Sequence, residues 1–299
     1  MSKTVVLDVG LVVAVHGRHC IVETPEGERL ICHPRGKKSE VVVGDRVRWQ
    51  ASGDEGVIEH LEPRRNLLFR QDEWKTKSFA ANIDLLLVLV AAEPVFSESQ
   101  LARALIAAED AGIPARILLN KADLDSVVAA RARLMAYTAM GVSVHEVALK
   151  RQPDPARSLL EPLLTDKTTL VIGPSGAGKS TLINLLVPHA NAQVGEISSA
   201  LNSGRHTTTA TQWYWLSAER RTALIDSPGF QEFGLRQIEA QRLGSLMPDL
   251  RAHAGGCKFY NCSHLHEPGC GVREALQRGE ISESRHRIYA EVLSELQRR

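Results

Sequence analysis

The spacing of apolar residues changes twice along the chain and divides it into three regions. Between residues 11 and 61, apolar and polar positions alternate in short runs separated by turns that contain Gly or Pro, a pattern typical of β-strands. The runs are LVVAVHG, HCIVETP, ERLICHP, VVVGDRVRWQ and GVIEHLEP. Five short strands predict a small closed barrel, and we assign residues 1–70 to it. The leading candidate is the oligonucleotide-binding (OB) barrel, and an SH3-like barrel remains the alternative.

A polar connector is expected between residues 63 and 77, and a second pattern begins at residue 79. Residues 83–90 are almost continuously apolar, as expected of a strand buried on both faces of a parallel sheet. Further strands are predicted at 113–120, 142–149, 168–173, 211–217 and 221–229, and helices at 99–111, 125–140, 156–164 and 179–186. This alternation predicts a doubly wound α/β domain over residues 79–234.

The third region, residues 235–299, combines predicted helices with a loop rich in Gly, Cys and His. The helices are expected at 235–247, 272–279 and 282–297. The chain is therefore expected to be a multidomain α/β protein with an N-terminal barrel, a central α/β domain and a C-terminal helical domain.

Composition and charge exclude several classes of protein. The chain is 43% hydrophobic and 24% charged, which argues against whole-chain disorder, collagen and coiled coil. Its 36 Lys and Arg against 35 Asp and Glu give a net charge of +1, which argues against a purely electrostatic nucleic-acid binder. The sequence has neither a membrane-spanning apolar run nor a signal-peptide pattern, so we expect a cytoplasmic protein.

A phosphate-binding motif lies between a β-branched strand and an apolar helix. Residues 173–180 match the P-loop pattern G-x-x-x-x-G-K-[ST], in which backbone N–H groups and a helix N-terminus surround the phosphates. In this pattern Lys179 reaches the β- and γ-phosphates as a catalytic group, and the Ser180 hydroxyl binds Mg²⁺. The other expected contacts in the loop are Gly173, Pro174, Ser175, Gly176, Ala177, Gly178 and Thr181. A glycine-rich turn without a ligand is the alternative.

A base-reading motif, Asn120-Lys121-Ala122-Asp123, follows a predicted buried strand. The Asp123 carboxylate can accept hydrogen bonds from N1–H and N2–H₂ of guanine, whereas adenine has no N1 proton. Asn120 would connect the base site to the P-loop, and the Lys121 stem would cover the ring. Asn and Asp are also ordinary helix caps, so the combination with the P-loop is what predicts GTP or GDP as the ligand.

Two further segments fit a GTPase. In residues 226–229 (Asp-Ser-Pro-Gly), Asp226 would hold Mg²⁺ through water and the Gly229 N–H would face the γ-phosphate. Residues 204–209 are a candidate first switch, in which one threonine would complete the Mg²⁺ coordination. The candidates are Thr207, Thr208 and Thr209.

The base-reading motif precedes the phosphate motifs, which is the reverse of the usual order in GTPases. Circular permutation keeps the elements at the same strand ends, so the site is preserved. Phe230 stands where a Ras-like enzyme has the glutamine that positions water, so intrinsic hydrolysis should be slow. His206 is the candidate replacement. A contact of His206 with RNA or solvent, or a group supplied by a partner, remains an alternative.

The spacing Cys257-x4-Cys262-x-His264-x5-Cys270 offers three thiolates and one imidazole, the ligand count of a structural zinc site. A disulfide would leave one cysteine unpaired, and His266 is a second possible imidazole ligand. Cys20 and Cys32, which stand singly in predicted strands, are expected to be buried apolar residues.

The three regions together resemble the ribosome-dependent, circularly permuted GTPases of the RsgA (YjeQ) family. The segments that carry the resemblance are GLVVAVHGRHCIV, VVVGDRVRW, PRRN, AANID, NKADL, GPSGAGKSTLIN, GRHTTT, DSPGF and the Cys/His loop. The resemblance implies an OB barrel, a GTPase domain and a zinc domain with His264 as a ligand. It also implies a role in late maturation of the small ribosomal subunit, which stimulates hydrolysis. The fifth guanine motif would fall on residues 148–150, which lack its serine, and HPRGKKSE matches the family only loosely.

Small basic groups on the barrel and tail favour contact with rRNA there. They are Arg35, Lys37 and Lys38; Arg64 and Arg65; Lys75 and Lys77; and Arg285, His286 and Arg287. Trp49 and Trp74 could stack on bases, although Trp49 is also suited to the barrel core. We expect a monomer. Two other functions remain open: an RNA-binding protein with a structural, rarely hydrolysed guanine nucleotide, and a P-loop kinase or ATPase.

Overall fold

The computed structural model describes residues 7–36, 40–71, 76–188, 190, 211–228 and 233–298. Within this part of the chain, no helix is long and apolar enough to cross a membrane.

The five N-terminal strands form a closed barrel. They are β1 (Asp8–His16), β2 (His19–Glu23), β3 (Arg29–Pro34), β4 (Arg46–Ser52) and β5 (Glu55–Leu61). The strand order is β1-β2-β3-β5-β4, β4 pairs back with β1, and β3 pairs with β5 in parallel. This Greek-key order is that of the OB barrel, so the leading prediction is confirmed and the SH3-like alternative is wrong.

Small and large side chains interlock in the barrel core. Trp49 lies almost entirely inside the barrel, where a Cβ on Gly56 would come within 2.8 Å of its ring. Trp49 is therefore a core residue and does not offer its ring to a base. Cys20 and Cys32 pair across β2 and β3 and are both buried, as expected.

The connector predicted at residues 63–77 is wrong in part, because a β-hairpin begins there. Its strands are β6 (Leu67–Gln71) and β7 (Thr76–Ala81), which pair with each other in a separate two-stranded sheet. Leu68 and Phe79 are buried against the rest of the protein. The hairpin is stabilised by this long-range packing, which the local mixture of charged and apolar residues does not reveal.

The central α/β domain contains the alternating elements that the sequence predicts. They are β8 (Leu85–Ala91), α1 (Glu98–Asp110), β9 (Ala115–Asn120), α2 (Val127–Ala139), β10 (Ser143–Glu146), α3 (Pro153–Leu164), β11 (Thr168–Ile172), α4 (Lys179–Leu186), β12 (Gln212–Trp215) and β13 (Ala223–Asp226). The strand order is β10-β9-β8-β11-β13-β12, and only β12 runs antiparallel to its neighbour in this group. Every residue of β8 is buried, as expected of the middle of such a sheet.

The barrel and the α/β sheet are continuous. β1 pairs with β12 at Ala14 and Gln212, so both units belong to one eleven-stranded sheet. The buried Glu23 carboxylate strengthens this junction, because it accepts hydrogen bonds from Trp215 Nε1 at 2.6 Å and Arg29 Nε at 2.9 Å.

The C-terminal region contains a 3₁₀ helix (Ala240–Leu246), α5 (Pro248–Ala254), α6 (Gly271–Gln277) and α7 (Glu283–Gln297). The helix predicted at 235–247 is wrong over its first part, since Leu235 forms a parallel bridge with Gln71 of β6. The Gln71 N–H donates to Gly234 O and the Arg236 N–H donates to Gln71 O. These bonds keep the chain extended there. Helix α5 was not predicted from the sequence.

A buried ion pair fixes the end of the barrel. Asp45 is only 1% exposed, and its carboxylate accepts hydrogen bonds from Arg64 Nε at 2.7 Å, Arg64 Nη2 at 2.8 Å and the Val42 N–H at 2.8 Å. Arg64 also donates to Glu40 O. The guanidinium thus satisfies a carboxylate that water does not reach.

The residues that follow Arg64 connect the barrel to the central sheet. Arg65 Nη1 donates to Asp84 at 2.7 Å, and the Asn66 side chain exchanges hydrogen bonds with the Ile83 backbone. Asp84 in turn accepts a hydrogen bond from the Thr168 N–H at the start of β11. The segments PRRN and AANID therefore form a joint between the barrel and the α/β domain.

Replacing Arg64 with alanine should lower the free energy of unfolding by about 3–5 kcal/mol, because the buried Asp45 charge loses its partner. Urea unfolding followed by circular dichroism measures this change. Arg48→Ala is the control, because the ion pair of Arg48 with Glu62 is exposed and should contribute less than about 1 kcal/mol. Equal losses in the two variants would contradict the assignment.

Candidate functional site

The P-loop leaves β11 and turns into α4, as the sequence predicts. Gly178 has φ +107°, a left-handed conformation that favours glycine, and a Cβ there would lie 2.3 Å from Asn120 Nδ2. At Gly173 a Cβ would lie 2.3 Å from Leu89 O of the neighbouring strand. Both positions thus require glycine, because neighbouring atoms lie too close for a side chain. The backbone of the loop surrounds the start of α4.

Asn120 joins the base-reading segment to the P-loop. The side chain is 4% exposed, and its amide donates from Nδ2 to Ala177 O at 2.9 Å. Its Oδ1 accepts from the Leu149 N–H at 3.1 Å. One side chain therefore holds three loops together, which come from the ends of β9, β10 and β11.

Lys121 lies at the rim of the site. It has φ +60°, and its Nζ donates to Glu93 O at 2.6 Å in the loop after β8. Pro94 of this loop lies against Gly176, where a Cβ on the glycine would be 3.3 Å from the proline ring. The loop after β8 thus forms one side of the site, which the sequence did not predict.

A cavity of about 710 Å³ opens between these loops, within the size range of small-molecule sites. The base-reading and phosphate-binding side chains line it together, along with the segment after β10. The lining includes Asn120, Lys121, Asp123, Leu124, Ala148, Leu149, Lys150, Arg151, Ser175, Gly176, Gly178, Lys179, Ser180, Thr181, Asp226 and Ser227. Gly173, Pro174 and Ala177 complete the loop, with Ala177 buried beneath it. The structure therefore brings the two predicted halves of the site together.

Residues 148–150, which lack the serine of the fifth guanine motif, line the cavity beside the base-reading segment. Leu149 is held by Asn120, as described, and Lys150 lines the cavity beside it. Arg151 approaches Asp123 with an Nε–Oδ2 distance of 3.8 Å. This basic side chain at the base-binding end was missed in the sequence, because its position depends on the turn after β10.

The phosphate end of the cavity contains an unusual pair of charges. Burial raises the pKa of Asp226 to about 6, against the opposing effect of the nearby Lys179 ammonium. Burial lowers the pKa of Lys179 from its usual range, and its Nζ donates to Gly173 O at 3.1 Å. Both groups have few polar partners here. A bound polyanion would supply partners to the Lys179 ammonium, and a bound cation would supply them to the Asp226 carboxylate.

The residues at this end fit a magnesium ion bound with phosphates. Asp226 Oδ1 is buried and has no hydrogen-bond partner among the described residues, and the Ser180 hydroxyl is exposed to the same cavity. Carboxylate and hydroxyl oxygens are the ligands that Mg²⁺ prefers, together with water and phosphate.

The predicted switch residues lie outside the described part of the chain. This applies to His206, Thr207, Thr208, Thr209, Gly229 and Phe230. The flanking residues are described. Ser227 is fully buried and its hydroxyl lies 3.3 Å from Val171 O, while Phe233 stacks on Phe79 of the hairpin with 5.6 Å between ring centroids.

A second group of chemical side chains lies in the C-terminal region. The ligand atoms of Cys257, Cys262, His264 and Cys270 all lie within 4.8 Å of one another. The Cys257 and Cys270 sulfurs are 3.9 Å apart, and His264 Nδ1 lies 3.4 and 3.6 Å from them. The edges of a tetrahedral zinc site measure about 3.8 Å between sulfurs and about 3.5 Å between sulfur and nitrogen. The cluster therefore has the spacing of a bound metal ion, and it uses His264 and not His266.

Helix α7 supports this Cys/His loop. His286 Nε2 lies 2.9 Å from His264 O, and the Tyr289 hydroxyl donates to Ser263 O at 2.9 Å. The helix is itself fixed by Arg285, which makes two hydrogen bonds to Asp249 at 2.7 and 2.9 Å. The loop is thus held by a helix that is itself fixed in position.

Replacing Asn120 with alanine should lower both stability and nucleotide affinity, because the Leu149 N–H and the Ala177 carbonyl lose a buried partner. Each such loss costs about 1–3 kcal/mol, so the midpoint of thermal unfolding should fall by at least about 4 °C. A fluorescent GDP titration should show at least about tenfold weaker binding. Ser143→Ala, at an exposed position of β10, is the control and should change neither value. Unchanged affinity for Asn120→Ala would contradict the bridging role.

The comparisons with known proteins agree with this site. Residues 61–236 match the family described as RsgA GTPase. The chain is 62% identical over 296 residues to the small ribosomal subunit biogenesis GTPase RsgA of Variovorax paradoxus, covering 97% of this chain and 93% of that protein. For the protein of the same name from Paraburkholderia phymatum, the identity is 51% over 289 residues, with 96% and 91% covered.

Two solved structures share the arrangement of the whole chain. YjeQ from Thermotoga maritima has a TM-score of 0.74 and 29% identity, with 98% of this chain and 99% of that chain covered. YloQ, described as a circularly permuted GTPase, has a TM-score of 0.69 and 27% identity, with 99% and 97% covered. The resemblance seen in the sequence is thereby confirmed, and the chain belongs to the RsgA family of circularly permuted GTPases.

Proposed function

We propose that this protein binds GTP with Mg²⁺, hydrolyses it to GDP and phosphate, and acts on the small ribosomal subunit late in its assembly. The observation that carries the proposal is the cavity in which Asn120 joins the base-reading loop to the P-loop. The ribosomal role is supported by the names of relatives that match nearly the whole chain.

The cavity suggests a role for each group. Asp123 accepts hydrogen bonds from the guanine edge, and the Lys121 stem covers one face of the base. Lys179 neutralises the β- and γ-phosphates, and the P-loop N–H groups surround them. Ser180, and Asp226 through water, would hold Mg²⁺, which would neutralise phosphate charge.

Hydrolysis needs a group that orients water, and Phe230 has no polar atom to do so. His206 is our candidate, with Thr207, Thr208 or Thr209 on the metal and Gly229 facing the γ-phosphate. A slow enzyme that becomes fast on its partner follows from this arrangement, because the partner can fix the switch that carries His206.

Purified bacterial small subunits should raise the GTP turnover of the wild-type protein at least about tenfold. His206→Ala should lower the stimulated rate at least about tenfold and leave the affinity for GTP within about threefold. His145→Ala, at the edge strand β10, is the control and should turn over like the wild type.

Two outcomes would contradict these assignments. If small subunits do not change the GTP turnover of the wild type, the alternative is favoured, in which the guanine nucleotide is structural and rarely hydrolysed. A stimulated His206→Ala rate within about threefold of the wild type would remove the catalytic role of this histidine.

We further propose that the Cys₃His cluster holds one structural Zn²⁺. Three thiolates and one imidazole complete a tetrahedral shell, which leaves no position for a reacting water. Cys270 also accepts a hydrogen bond from the Arg273 N–H, so the thiolate lies at the N-terminus of α6, where its charge is stabilised. The metal would thus fix the start of the helix and the loop before it.

Cys262→Ser should reduce bound zinc from about one ion per chain to well below half, as measured by elemental analysis, because one of four ligands is lost. The helical circular dichroism signal should fall with it. Cys20→Ala, in the barrel, should keep its zinc. Full zinc occupancy in Cys262→Ser would rule out the assigned ligand.

The proposed partner is the small subunit in the cytoplasm, contacted through its rRNA by a monomer of this protein. The near-zero net charge fits an RNA partner that is recognised by shape and by a few basic groups. Arg64 and Arg285 are not among these groups, because they form ion pairs with Asp45 and Asp249 inside the protein. Affinity for free RNA should accordingly be modest and fall with added salt.

A further inference from the structure

Two adjacent aromatic residues project from the metal-binding loop. The Tyr260 side chain is fully exposed, and Phe259 is 41% exposed. Among the described residues, they are the two aromatics in the set of exposed large apolar side chains. Single exposed apolar residues are common, but neighbouring aromatic rings at a loop tip are typical of a binding surface.

The loop that carries these rings is held on both sides. Cys257 and Cys262 flank the four residues 258–261, and both belong to the Cys₃His cluster. The Lys258 N–H donates to Gly269 O at 2.9 Å, and the Cys262 N–H donates to Phe259 O at 3.2 Å. Because the backbone is already fixed, the rings can bind a partner at little cost in conformational entropy.

The charge around the rings suits a polyanion. Residues 251–266 contain no Asp or Glu, and Lys258 Nζ lies 5.7 Å from the centre of the Phe259 ring. The next carboxylate, Glu267, turns into its own loop, where it accepts hydrogen bonds from the Ser263 N–H at 2.7 Å and the His266 N–H at 3.3 Å. No carboxylate of this stretch therefore opposes a phosphate near Lys258.

We propose that Tyr260 and Phe259 stack on unpaired bases of ribosomal RNA, with Lys258 beside a phosphate of the same strand. Aromatic rings bind unpaired bases of any sequence through their faces, and a neighbouring cation neutralises the backbone. The identification of rRNA as the ligand rests on the proposed function, because that function supplies an RNA-rich partner. The stacking surface itself rests on the exposed rings.

The first test measures binding of purified bacterial small subunits in the presence of a non-hydrolysable GTP analogue. Tyr260→Ala should weaken binding at least about fivefold, the loss expected for one stacked base, and Tyr260→Trp should stay within about twofold of the wild type. Met135→Ala, which is 69% exposed on α2, is the matched control and should bind like the wild type. Zinc content should be equal in all variants, which excludes loss of the loop.

A second measurement separates the charge from the stacking. Lys258→Ala should reduce the slope of log affinity against log salt by about 1, because one phosphate contact is lost. Tyr260→Ala should leave this slope unchanged. Lys258→Ala thus changes the salt dependence of binding, whereas Tyr260→Ala changes the affinity alone. A general unfolding of the loop would give the same result in both variants.

The third test identifies the partner directly. With Tyr260 replaced by benzoylphenylalanine, irradiation of the bound complex should cross-link the chain to rRNA. A cross-link to a ribosomal protein, or to no rRNA at all, overturns the proposal, as does small-subunit binding by Tyr260→Ala within twofold of the wild type. If the wild type itself neither binds small subunits nor responds to them, the proposed function fails first, and this inference fails with it.

Discussion

The pair of hydrogen bonds made by the buried Asn120 amide is the constraint on which the rest of the nucleotide site depends. The base-reading loop and the P-loop are separated in the chain by α2, β10, α3 and β11, and each loop supplies only one half of the site. The amide connects both of them, and it also holds the segment after β10 that closes the base end. The close approach explains why Gly178 carries no side chain.

The parallel strands explain how these loops reach the same place. β9, β8, β11 and β13 are adjacent and run in one direction, so their carboxyl ends lie along one edge of the sheet. A loop at that edge keeps its position whatever the order in which the chain visits the strands. Circular permutation therefore alters the connections and leaves the cavity as it is, with Lys179 and Asp226 both lining its phosphate end.

Much of the fold could be predicted because its signals are local. Alternating residues marked the barrel strands, and the P-loop and the Cys/His spacing marked the two sites by short motifs. The features that were missed or wrong depend on distant partners. The hairpin needs Phe79 to pack against Phe233, and residue 235 is extended because Gln71 pairs with it. The wall that Glu93 contributes to the cavity likewise depends on a contact with Lys121, which no single segment reveals.

The position of β8 in the sheet has a consequence for how the nascent chain folds. All its residues are buried, and it lies between β9, which is synthesised soon after it, and β11, which follows only after α2, β10 and α3. One edge of this apolar strand therefore stays uncovered during much of synthesis, a state that favours association with other chains. The strand that finally covers it also brings the P-loop. Covering the edge of β8 and joining the P-loop to the base-reading loop are thus the same step in the folding of this protein.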